Sequence, residues 1–102
     1  MIRHIVMVKA RDDLPAGELE TVLAGLAALG SRLPGMLAFA GGRDVSPEGL
    51  QRGYTYVFTI DFADAAARDA YLVDEEHRKL GRRLREAAIG GRDGLLVVDL
   101  EA

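Results

Sequence analysis

Cysteine is absent from this chain, and serine is nearly so, with Ser31 and Ser46 the only two. The first absence excludes a disulfide scaffold and a thiolate nucleophile. No GxSxG elbow, phosphate-cradling glycine loop or HExxH pair occurs, so covalent catalysis and nucleotide binding are not expected. Basic residues are not in excess: 13 Lys and Arg stand against 16 Asp and Glu, giving a formal charge of −3. Nothing in that balance draws the chain to nucleic acid or an anionic membrane. No apolar run approaches the roughly 18 residues a membrane span requires, and no signal-type segment precedes the first strand. The expectation is a soluble cytoplasmic protein with neither a membrane nor a nucleic-acid partner. Internal repeats, low-complexity tracts and long linkers are also missing, so residues 1–102 read as one domain.

What is present is strongly patterned. IRHIVMVK, residues 2–9, is apolar on both faces, with Ile2, His4, Val6 and Val8 on one side and Ile5 and Met7 on the other. That is a strand covered on both sides. Apolar residues then recur at Leu19, Val22, Leu23, Leu26 and Leu29, the spacing of one helix face, with Pro15 at the expected start and Gly30 at the stop. PGMLAFAGG predicts a second strand, with Leu37 and Phe39 facing one way and Met36 and Ala38 the other. After a polar loop, YTYVFTIDF has a clear period of two, with Tyr54, Tyr56, Phe58, Ile60 and Phe62 on one face. Asp64 caps an alanine-rich helix that ends near Tyr71 and Leu72. Asp74 can cap another, on which His77, Leu80 and Leu84 share a face. GLLVVDL predicts the last strand.

The order β-α-β-β-α-β, with its second helical region split, is the ferredoxin-like α+β arrangement. Its helices cover one face of the sheet, yet several strands are apolar on both. The second face therefore needs its own cover, and an identical sheet from a second chain supplies it most simply. A homodimer whose two sheets pack face to face follows.

Chemistry has few candidates. His4 and His77 are the only histidines, and both fall on inward-facing positions. A position near the third residue of a helix disfavours the imidazolium of His77, leaving a neutral ring suited to general-base work. Two other readings compete. Each histidine could simply complete a hydrogen bond in the core. Alternatively, the pair could hold a metal with Asp61, Asp74 or Glu76, although no ligand spacing requires it. The basic run HRKLGRRLR reads as a solvated helix face, with Arg78, Arg82 and Arg85 in one stripe. The aromatic face of the third strand could stack RNA bases, but a buried core explains it with less.

RHIVMVK, GYTYVFTIDF, AYLVDEEH and GLLVVDLE, in that order, resemble the stress-responsive A/B barrel domain (Dabb) family over essentially the whole chain. The resemblance implies a dimeric α+β barrel of ferredoxin-like subunits. One enzymatic member of the family is a plant polyketide cyclase that performs an intramolecular aldol condensation without a cofactor. By that likeness His4, Tyr71 and His77 are the acid/base residues: His77 would take a proton from a carbon next to a carbonyl, while Tyr71 and His4 orient the substrate or stabilise its enolate. Two departures stand out. Leu26 occupies the place of a further tyrosine, and Asp74-Glu75 replaces a His-Pro pair. The resemblance leaves three expectations: a cofactor-independent cyclase or isomerase acting on a small organic ligand, a non-enzymatic stress-responsive protein, and a cofactor-free monooxygenase.

Overall fold

Alternation of apolar residues along β1 (Ile2–Val8) and β3 (Tyr56–Phe62) forms the centre of a four-stranded antiparallel sheet, ordered β2-β3-β1-β4, in a computed structural model describing residues 1–102. β2 (Met36–Arg43) and β4 (Leu95–Glu101) are its edges. His4, Val6 and Val8 of β1 and Tyr56, Phe58, Ile60 and Phe62 of β3 point to the helix side and are buried. Both edges of this pattern are trimmed relative to expectation. Tyr54 precedes β3, with the Lys9 ammonium 5.0 Å above its ring, and Pro15 lies in a turn before the first helix. Tyr56 and Phe58 lie under the helices, where they cannot stack bases.

The first helix, α1 (Glu18–Ala28), buries the predicted stripe of Leu19, Val22, Leu23 and Leu26. Each such side chain withdrawn from water is worth about 1.5–3 kcal/mol, which holds the helix to the sheet despite an N-cap glycine with no side-chain bond. In β2 the simple alternation fails. A bulge between Met36 and Ala38 pairs Met36 with Phe62 and Phe39 with Ile60, so both face the helices and Leu37 is left exposed. One extra residue shifts the parity, and an alternation rule cannot see it. Gly41 lies opposite Phe58, where an added Cβ would come within 2.8 Å of both Phe58 Cβ and Leu23 Cδ2 or closer. α1 can approach the sheet there only because that carbon is missing.

Two aspartates punctuate the second helical region. Asp64 accepts the Ala67 amide at 2.9 Å and starts α2 (Ala65–Val73); Asp74, in extended conformation, ends α2 and accepts the His77 amide at 3.1 Å to start α3 (Glu75–Ala87). The opposite face of the sheet carries no helix. Leu96, Val98 and Leu100 of β4 are 37–47% exposed there, beside half-buried Ile5 and Met7. No helix is long and apolar enough to cross a membrane.

Candidate functional site

The break at Asp74 decides where the chemistry sits. On one continuous helix Tyr71 and His77, six residues apart, would point about 120° away from each other. With the chain extended at Asp74, the last turn of α2 and the first turn of α3 turn both rings inward, and their centroids are 4.1 Å apart. His4, from β1, meets Tyr71 edge-on at 5.9 Å. The three residues singled out in the sequence therefore share one place. They line a cavity of about 450 Å³ between α3 and the β1–β4 pair, whose walls are otherwise largely apolar, including Val6, Leu26, Phe58 and Leu84. Leu26 is a cavity residue, so its departure from the resembling pattern makes that wall apolar.

The electrostatics differ for each member. His4 Nδ1 lies 2.7 Å from Asp99 Oδ1, and Arg68 donates to Asp99 Oδ2 at 2.9 Å. Burial pulls the Asp99 carboxyl upward, but the bonds from His4 and Arg68 outweigh it and hold the group below the ordinary carboxylate range. An ionised Asp99 only accepts, so His4 carries a proton on Nδ1 toward it, and Nε2 is bare whenever the ring is neutral. The Tyr71 phenol is pushed well above its ordinary value by burial and forms no hydrogen bond that would counter this. His77 is lowered, chiefly by burial and further by the His4 and Arg85 charges, against the raising effect of the Leu72 carbonyl and Asp74. The lowering has the expected direction, but desolvation rather than the helix dipole is its larger cause. At pH 7 the ring is neutral.

His77 Nδ1 is the one sealed side-chain polar atom without a hydrogen-bond partner. The Leu72 carbonyl favours a proton on that ring without completing a bond to Nδ1. A proton at Nδ1 leaves His77 Nε2 unprotonated. Neither this nitrogen, nor His4 Nε2, nor the Tyr71 hydroxyl has a protein partner, and none is sealed, so all three functions open into the cavity.

The carboxylates weighed as metal ligands are engaged elsewhere. Asp61 pairs with Arg3 on the far face of the sheet, Glu76 with Lys79, and Asp74 takes both terminal nitrogens of Arg32, which with the His77 amide hold it down at about 2. Asp99 and Arg68 escaped the sequence reading. A lone carboxylate within the apolar strand GLLVVDL was the available signal, but its pairing with His4 depends on the β1–β4 register, which no local pattern supplies.

A four-stranded antiparallel sheet with helices on one face, and a cavity between them holding two imidazoles and a phenol, defines a ferredoxin-like α+β barrel subunit with an internal pocket. The chain belongs to the stress-responsive A/B barrel domain family, whose sequence profile matches residues 2–102. It is 29% identical over 98 residues to the stress-response A/B barrel domain-containing protein HS1 of Arabidopsis thaliana, covering 96% of this chain and 86% of that one. It is 21% identical over 80 residues to olivetolic acid cyclase of Cannabis sativa, covering 78% and 79%. Among solved structures, a dimeric ferredoxin-like protein of unknown function from Jannaschia sp. CCS1 superposes with a TM-score of 0.88 at 35% identity, covering 99% of this chain and 98% of that one.

Proposed function

We propose that the chain works as a homodimer whose subunits each bind a small organic carbonyl compound and catalyse cofactor-independent proton transfer of the aldol, cyclisation or isomerisation kind. One observation carries this reading: three polar functions without protein partners converge on one mostly apolar cavity. The volume lies within the usual 300–1,000 Å³ of small-molecule sites. His77 Nε2 takes a proton from the carbon next to the carbonyl. The electron pair moves to the carbonyl oxygen, and the Tyr71 hydroxyl donates to the resulting enolate. Where a second carbonyl of the same molecule lies within reach, the enolate carbon attacks it, and the protonated His77 returns the proton to the new alkoxide. His4 Nε2 accepts from a substrate hydroxyl, and Asp99 behind it stabilises the imidazolium whenever His4 takes the proton itself.

Relatedness to a cyclase supports an enzymatic role. A purely structural role for the trio would need core partners for Tyr71 and His77, and those partners are absent. The dimer is supported by the uncovered apolar face of the sheet and by a relative described as dimeric.

The test is α-proton exchange of benzylacetone in D2O, followed by 1H NMR. The protein should accelerate exchange, and His77→Ala should lose about 10²–10⁴-fold of that acceleration, the usual worth of a general base, while keeping its circular dichroism and dimeric mass. No acceleration over buffer, or an undiminished rate in the variant, would overturn the catalytic reading.

A further inference from the structure

The mouth of the cavity is cationic, although the chain as a whole is not. Arg85, near the end of α3, and Arg92, on the short turn Gly91–Gly94, line both the cavity and an adjoining outer concavity of about 550 Å³. Arg11 and Arg82 border that concavity as well, against a single carboxylate, Glu86. Arg11 is already bound by Asp13, whereas Arg82, Arg85 and Arg92 have no ion-pair partner. Arg85 and Arg92, shared by the cavity and the concavity, and Arg82 on the outer one alone, offer unpaired guanidinium groups to an anion.

The helix register connects this rim to the interior. His77, Gly81 and Arg85 follow one another at intervals of four on α3, and all three line the cavity. Arg85 leans back along the helix so that an added Cβ on Gly81 would lie 3.5 Å from one of its terminal nitrogens. Glycine at 81 leaves no side chain on the cavity wall between His77 and Arg85. With a rise of 1.5 Å per residue, the guanidinium above Gly81 lies about 6 Å along the axis from His77.

We propose that the cavity takes an anionic carbonyl compound, whose carboxylate or phosphate is held by Arg85 and Arg92 at the mouth and whose enolisable carbon lies a few bonds away beside His77. The proposal rests on reading the cavity as a ligand site and adds the chemical class of the ligand. Guanidinium forks match carboxylate and phosphate oxygens in pairs, so the contacts would also orient the molecule along the His77–Arg85 line.

Three probes separate the possibilities: 3-benzoylpropionate, its neutral primary amide, and 3-oxo-3-phenylpropylphosphonate. Binding is read from the ring-carbon signals of the two histidines in the 13C-labelled protein. The carboxylate or the phosphonate should shift the His77 signal and bind at least about tenfold more tightly than the amide, as a charge-assisted contact provides. Tighter binding of the phosphonate assigns a phosphate ester, and the reverse an organic acid. Arg85→Gln with Arg92→Gln should erase the preference while the amide binds as before, and Arg78→Gln, away from the mouth, should keep it. Equal affinity of amide and anions, or a preference that survives the double variant, overturns the anion site and leaves the pocket reading standing. Failure of all three probes to move either histidine signal overturns both.

Discussion

Tyr71→Phe separates a working hydroxyl from a structural one. The ring is only 1% exposed and packs against His4, Phe62 and His77, so phenylalanine preserves its shape and burial. The oxygen bonds to no protein atom. A buried hydroxyl that served the core would cost about 1–3 kcal/mol when its partner was orphaned by deletion. Here no partner exists to be orphaned, and the hydroxyl's own desolvation is relieved. Stability should therefore change by between 0 and about +1 kcal/mol, in the stabilising direction. For a chain of this size 1 kcal/mol corresponds to about 4–8 °C in Tm, readable by calorimetry at fixed protomer concentration. The same variant should lose exchange activity on benzylacetone, because the enolate loses its donor. A Tyr71→Phe protein destabilised by more than about 1 kcal/mol would show that the hydroxyl has a core partner, and the argument for a functional phenol would fail.

Further outcomes follow from the same geometry. Asp74 titrates near 2 in the folded chain and near 4 when unfolded, so its stabilisation is complete above about pH 4 and disappears as pH falls through about 2; Asp74→Asn should flatten the urea midpoint over that window. His77 has a lowered folded value, so the unfolded chain binds the extra proton and stability declines as pH drops below about 6.5; His77→Ala should remove that decline, and an unchanged slope would contradict a buried neutral ring. Val98→Glu on the uncovered sheet face should yield monomers in sedimentation experiments, whereas an intact dimer would mean the face is covered differently. Gly41→Ala should be destabilised by about 1–3 kcal/mol through crowding of Phe58 and Leu23, measured by denaturant titration.

Periodicity located the strands and the α1 stripe because burial on one face repeats at the element's own period. It failed at Leu37, where a bulge inserts a residue whose pairing is decided across the sheet. The trio itself was visible in part. His4 stood out as a polar residue in an apolar strand, and His77 as one on an apolar stripe, but Tyr71 came from the family resemblance rather than from its spacing. The supporting groups were hidden for a common reason: Asp99 reaches His4 over a sequence separation of 95, and Arg68 reaches Asp99 over 31. Arg85 looked like a solvent-facing charge, since a helix pattern shows which side a residue takes but not what opens beside it.

The long-range 1H–15N spectrum of the histidine rings reads the proton on each nitrogen of the pocket, and with only two histidines each ring is readily assigned. The expected result is a proton on Nδ1 of both rings and, at pH 7, a bare Nε2 on His77. A proton on Nε2 of His77 would make that nitrogen a donor rather than a base, and would contradict the acid/base pocket on which the proposed function stands.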